Sequence, residues 1–194
     1  MRSRGCVVAA VAVVFLVALA SLPARAESYP NTRQGWLIGL GMGGGSAEIS
    51  DATNRETGFA GSFRFGYAFN PTISLELGSN AWLKDENGTT VTFSFAGPTL
   101  NFYPGASGLV LRGGVGVGSV DVSTSFNGGT FSASESGLGL SVGAGYEFRV
   151  TRRFALGPQV DFTWTDQDSY NTNHVSGSLA VCWYFIPKST TAGN

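Results

Sequence analysis

The chain has 194 residues, 43% of them hydrophobic and only 13% charged, with twelve Lys and Arg against thirteen Asp and Glu. Three of the bases lie in the first 26 residues, so the rest of the chain carries nine bases against thirteen acids. That balance lacks the basic patch of a nucleic-acid-binding surface, and no nucleic-acid partner is expected.

The first segment is a targeting signal. Arg2 and Arg4 precede an apolar run from Cys6 to Ala20, and Ala24 and Ala26 give the small-x-small pattern before a cut at Glu27. Residues 1–26 are therefore predicted to be a cleavable secretory signal peptide. Its apolar run falls short of the roughly 20 residues of a spanning helix. Cleavage leaves Cys182 as the only cysteine, so no intramolecular disulfide is expected.

Eight stretches then alternate with period two, the pattern of strands. Gln34–Gly43 carries Trp36, Ile38, Leu40 and Met42 on one parity. Thr57–Ala68 carries Phe59, Phe63, Phe65 and Tyr67. Ile73–Trp82 carries Ile73, Leu75 and Leu77. Thr90–Tyr103 begins with Val91, Phe93 and Phe95, then moves its apolar parity to Ala96, Leu100 and Phe102. One extra residue would explain that switch, so a β-bulge is predicted near Gly97-Pro98. Leu109–Val122 carries Leu109, Leu111, Val115 and Val117. Gly137–Val150 carries Leu138, Leu140, Val142, Ala144, Tyr146 and Phe148. Phe154–Thr165 carries Phe154, Leu156, Val160, Phe162 and Trp164. Val175–Ile186 carries Val175, Leu179, Val181, Trp183 and Phe185.

The connections alternate in length. They are short after the second, fourth and sixth stretches, and longer and polar at Gly44–Glu56, Lys84–Thr89, Ser123–Glu135 and Asp166–His174. Short turns at one end and longer loops at the other are the plan of an outer-membrane barrel. The apolar face then points to lipid, and the glycine-rich polar face fills a narrow bore. The fold expected is all-β: an eight-stranded antiparallel up-and-down transmembrane β-barrel. It occupies residues 27–186, with a polar tail at 187–194.

Aromatic residues gather at the short-turn end: Trp36, Tyr67, Phe102, Tyr103, Tyr146, Phe148, Trp183 and Phe185, with Phe69 and Phe154. This reads as a girdle at headgroup depth on the periplasmic side. Trp82, Phe93 and Trp164 form a sparser set near the loops. Acids collect at the loop end, including Glu48, Asp51, Glu56, Asp85, Glu86, Asp121, Glu135, Asp166 and Asp168, against Arg55 and Lys84. Arg33, Arg152, Arg153 and Lys188 lie at the other end. The simplest account is solvation; a sharper one is divalent cations shared with lipopolysaccharide phosphates.

Five charges have lumen parity: Arg64, Glu76, Arg112, Glu147 and Asp161. Counted from the short turns, the first four share roughly one depth, with Asp161 deeper. Ionised groups in a narrow bore must pair or carry a desolvation cost. They form either a salt-bridge plug or a gate whose pairs exchange to open an ion path. No catalytic residues, cofactor or metal site are expected. His174-Val175-Ser176 superficially resembles the His-x-Ser pair of lipid A deacylases, which needs a third, acidic residue; no acid follows Asp168, so that order is broken, and only Asp166 or Asp168 could approach, from the adjoining loop.

The chain resembles the eight-stranded OmpA-type barrel family, including OmpX-like small outer-membrane proteins. The resemblance rests on Ala24-Arg25-Ala26, on Arg112-Gly113-Gly114-Val115-Gly116-Val117-Gly118, and on Val181-Cys182-Trp183-Tyr184-Phe185. It implies Sec-dependent export to the outer membrane of a Gram-negative bacterium. The implied partners are periplasmic chaperones, the barrel-assembly machinery, outer-membrane lipids and lipopolysaccharide, around a monomeric barrel. The lumen charges are similar to that family's gate. Two departures follow: the chain ends at Asn194 with no room for a peptidoglycan-binding domain, and the last-strand Phe185 is not terminal. The function expected is a structural or surface-interaction role, with loops contacting lipopolysaccharide, host or phage. Alternatives are a narrow porin-like channel and, more remotely, a lipid A-modifying enzyme. A soluble lipocalin-like carrier is the reading if the greasy face were inside.

Overall fold

A computed structural model describes residues 33–49, 55–86, 88–126, 129–167 and 171–185. The predicted signal peptide, the tail 187–194, Asp51, Asp168 and Lys188 lie outside the described residues. The strands are β1 (Gly35–Ile49), β2 (Glu56–Asn70), β3 (Ile73–Glu86), β4 (Thr89–Phe102), β5 (Leu109–Phe126), β6 (Gly129–Tyr146), β7 (Phe148–Arg149), β8 (Phe154–Asp166) and β9 (Asn171–Phe185). β7 continues β6 past Glu147, so the barrel has eight staves. All neighbours are antiparallel, and pairing of β1 with β9 closes the meander.

The pairings fix the shape of the tube. Gly35 pairs with Ala68, then the path runs through Ser74, Asn101, Arg112, Gly143, Asp161 and Ser176 back to β1 at Gly45. One circuit therefore advances ten residues. With eight staves and ordinary strand spacings this tilts the strands by about 40°. Such a bore is filled by side chains.

The lipid-facing residues are those of the expected parity. Leu40, Leu77, Leu100, Val117, Val142 and Leu179 are exposed, while their chain neighbours are lumen-facing glycines, alanine, polar residues and charges. Leu77 sits near the middle of this band, 58% exposed. Leu77→Arg is therefore expected to cost about 2–4 kcal/mol when unfolding is measured from lipid vesicles, as arginine does at a bilayer midplane. An unchanged stability would place that face away from lipid.

The short turns are held by side-chain caps. Asn70 Oδ1 accepts from the Thr72 N–H at 2.8 Å and the Ile73 N–H at 2.9 Å. Thr151 Oγ1 accepts from the N–H groups of Arg153 and Phe154. These local bonds explain why Asn and Thr punctuate the strands there.

Two expectations are corrected. No bulge interrupts β4: its register with β3 runs unbroken from Ile73–Phe102 to Glu86–Thr89. What changes at Gly97-Pro98 is the destination of apolar side chains, which fill the lumen above that point and face lipid below it. Pro98 has no N–H to donate, and the β4–β5 pairing skips Gly97 and Pro98. Gly97 and Gly116 face each other closely there; a Cβ on Gly116 would lie 2.2 Å from the Ala96 carbonyl oxygen. All four longer loops, Gly44–Glu56, Lys84–Thr89, Ser123–Glu135 and Asp166–His174, are also partly strand. β5 and β6 continue as a ribbon to Phe126 and Gly129, whereas β6 pairs with β8 only up to Leu138–Asp166. Alternating Ser, Thr and small residues pair well as strands outside lipid, so polarity alone did not mark a loop.

Candidate functional site

The lumen is closed by stacked tiers of side chains. The lowest is built around Glu147, at the break between β6 and β7. Its Oε2 accepts from Tyr184 Oη at 2.8 Å and Arg33 Nε at 3.3 Å, and its Oε1 accepts from Tyr103 Oη at 3.2 Å. Arg33 stacks on the Tyr103 ring at 3.8 Å, and Arg149 on the Tyr184 ring at 4.0 Å. The aromatic rings thus sheathe the arginines while their hydroxyls reach the carboxylate, a use of tyrosine's polar tip.

Arg64 links this tier to the next. Its Nη1 lies 3.9 Å from Glu147 Oε1 and 3.7 Å from Glu76 Oε2. Glu76 Oε1 accepts from Ser74 Oγ at 2.8 Å, and Ser74 in turn accepts from Asn101 Nδ2. Above it, Arg112 Nη1 reaches Asp161 Oδ1 at 3.4 Å, and Gln159 Nε2 donates to Asp161 Oδ2 at 2.9 Å and to Ser62 Oγ at 3.1 Å. Asn80 Nδ2 then donates to Ser141 Oγ and Thr163 Oγ1. The uppermost tier is apolar: Trp82, Phe93, Ala47 and Val120 pack together, with the two rings 5.4 Å apart.

All five charges singled out in the sequence are buried in the lumen. Arg64 contacts Glu76 and Glu147, but Arg112 pairs with Asp161 rather than joining the other three. Sequence reasoning placed Arg33 at the periplasmic end without a role and left Arg149 and Tyr184 unweighed. Parity offered a signal for each. Arg33 continues the inward parity of β1, Arg149 that of Glu147, and Tyr184 that of Cys182.

Of the expected girdle, Trp36, Tyr67, Phe102, Tyr146, Phe148, Trp183 and Phe185 lie on the outer face, with Trp36 stacked on Phe65 and edge-on to Tyr67. Tyr103 does not join them. It is 0% exposed because it follows outward Phe102 and so turns inward to Glu147. Trp82 and Phe93 likewise leave the loop-end set and plug the lumen.

His174 and Ser176 are both buried, facing the lumen, and His174 Nε2 has no hydrogen-bond partner. The pair is not presented to lipid. Among the described residues no group of three His, Cys, Asp or Glu side chains is arranged to hold a metal.

Comparison with known proteins agrees with this geometry. Neisserial surface protein A superimposes with a TM-score of 0.63 at 16% identity, covering 78% of this chain and 97% of that one. Ail, the attachment invasion locus protein of Yersinia pestis, gives 0.55 at 16% identity, covering 77% and 99%. Ail in complex with the heparin analogue sucrose octasulfate gives 0.52 at 15% identity, covering 78% and 99%. At these identities the likeness is one of fold. A comparison with curated proteins finds no match. The family model described as the outer membrane protein beta-barrel domain matches residues 11–181, and the closed barrel with its greasy face outward fits that description: the chain belongs to that family of outer-membrane proteins.

Proposed function

We propose that this is a small integral barrel of the Gram-negative outer membrane, exported through the Sec pathway, whose work is done at the cell surface by its extracellular rim. The observation that carries this reading is the filled lumen. Side chains close the bore from the Arg33–Glu147 tier to the Trp82–Phe93 tier. The parts left free to meet a partner are the strand ends and the projecting β5–β6 ribbon, where Phe131 stands 69% exposed beyond the lipid band.

The chemistry of the rim narrows the partner. Glu48, Glu56, Asp85, Glu86, Asp121, Glu135 and Asp166 outnumber Arg55 and Lys84. Lys84 Nζ sits between Glu56 and Glu86, and their hydrogen bonds hold its ammonium above its ordinary pKa. Arg55 pairs with Glu48 at 2.9 Å. The solved Ail complex holds a polysulfated sugar, a ligand that needs bases. An acidic rim favours cationic partners or lipopolysaccharide phosphates bridged by divalent cations.

The test is to replace residues 122–135 with a two-residue turn. The shortened barrel is expected to fold, since the deletion spares every β6–β8 pair and takes from β4–β5 only the last three pairs, Thr89–Thr124, Thr90–Ser123 and Val91–Val122. It should lose affinity for lipopolysaccharide micelles in calcium, and chelation should reduce wild type further, since six of the seven rim acids remain in the shortened barrel. Unchanged binding would remove the ribbon from the reading.

A second reading is a narrow channel. Its support is the looseness of the lumen ion pairs, at 3.4 to 3.9 Å, which leaves room for partner exchange. Planar-bilayer recording of wild type, Glu76→Ala and Arg112→Ala tests it; discrete openings altered by either change would favour the channel. We assign no enzymatic role, given the inward placement of His174 and Ser176.

A further inference from the structure

A small cavity lies in the lumen, between the Glu147 tier and the polar middle. Arg64, Arg112, Glu147, Gln159 and Cys182 line it. Both arginines are more than nine-tenths buried. Each keeps an Nε–H with no acceptor, and Arg64 Nη1 also lacks one. Arg64 Nη1 stands 3.7 Å from Glu76 Oε2, close enough for a small movement to join them. The two Nε–H groups make no hydrogen bond within the described residues.

The charges do not balance. Among the described residues the buried ionisable groups of fixed charge are the guanidiniums of Arg33, Arg64, Arg112 and Arg149, against the carboxylates of Glu76, Glu147 and Asp161. Arg33 pairs with Glu147, Arg64 with Glu76, and Arg112 with Asp161. Among the described residues Arg149 has no carboxylate in ion-pair range; it lies over Tyr184 and donates Nη1 to the Arg152 carbonyl at 3.3 Å. One positive charge is left over in a narrow, poorly solvated tube, where an uncompensated charge is costly.

We propose that this cavity binds one small inorganic anion of the halide class. A halide accepts from the free N–H groups of Arg64 and Arg112, and the surplus guanidinium of Arg149 in the tier below offsets the repulsion it meets from Glu147, which also lines the cavity. The cavity has room for about one water-sized occupant, so a halide enters with a small outward shift of its lining and a phosphate or an organic acid is excluded. Gln159 Oε1 also lacks a donor. It is the acceptor that a water would use, so a neutral water is the occupant the experiment must separate from the anion.

The mature barrel, refolded in micelles, is heated in sodium chloride or bromide and in sodium gluconate at equal ionic strength. The halides are expected to raise Tm by several degrees, saturating in the millimolar range, as a ligand of the folded state does. Crystals soaked in bromide should show an anomalous peak between Arg64 and Arg112. Arg149→Gln, outside the cavity, removes the surplus charge and should weaken the halide dependence at least tenfold in a barrel that keeps its folded electrophoretic mobility. Arg112→Gln should abolish the dependence; should it not fold, the bromide peak and the Arg149 variant still decide. Equal Tm in halide and gluconate with no bromide peak would assign the cavity to water and overturn the proposal.

Discussion

Glu147→Ala is expected to destabilise the barrel by about 3–5 kcal/mol, the cost of removing one partner from a buried charge network. The carboxylate is the shared acceptor of Tyr103, Tyr184 and Arg33, with Arg64 also in ion-pair range. Its loss leaves Arg33 without a carboxylate and Arg64 with Glu76 alone. Two buried tyrosine hydroxyls also lose their acceptor, and each such orphan costs about 1–3 kcal/mol. Glu147→Gln keeps the shape and an acceptor oxygen but not the charge, and should fall between wild type and alanine. Arg152 is exposed in the short turn between β7 and β8, so Arg152→Ala should stay within about 0.5 kcal/mol. Urea unfolding from lipid vesicles, followed by tryptophan fluorescence and by the mobility of unheated samples, measures all three. A Glu147→Ala loss under about 1 kcal/mol would mean that water reaches the lower tier and solvates the freed arginines.

Most of the barrel was legible in the sequence because lipid imposes a simple rule on it. A wall that faces hydrocarbon must be apolar at every second residue, and a closed meander gives each backbone group a partner. Leu109, Leu111, Val115 and Val117 obey the rule in β5, interrupted only by Gly113, and all four are exposed. The short turns were legible for a local reason, since Asn70 and Thr151 cap their own backbones. The lumen obeys a weaker rule. Its residues need only fill space and pair, so aromatics are as acceptable inside as outside. Phe93 and Phe95 therefore read as a lipid face, and a bulge was invoked to reconcile them with Leu100 and Phe102. Pairing was the other illegible quantity. Depth counted along each strand placed Arg64, Glu76, Arg112 and Glu147 together. The stagger of ten residues around the tube, set by all eight pairings at once, brings Arg112 to Asp161 instead.

Trp82→Ala tests whether the two ends of the lumen seal independently. The indole is 1% exposed and packs on Phe93, Ala47 and Val120. Gly58 makes room for it: a Cβ there would lie 2.7 Å from Trp82 Cε2. Truncating so large a buried ring should cost about 3–5 kcal/mol. Its Nε1–H has no hydrogen-bond partner, so the loss comes from packing alone. The conductance consequence is separate. The Arg33–Glu147–Tyr184 tier and the Arg112–Asp161 pair still close the tube below, so the single variant is expected to remain electrically silent in planar bilayers. Adding Arg112→Ala removes the middle barrier but leaves the base, and adding Glu147→Ala instead removes the base but leaves the middle. Steady conductance should therefore need all three changes. If Trp82→Ala alone conducted, the charged tiers would be passable as they stand. The apolar cap would then be the gate, and the channel reading would displace the surface one.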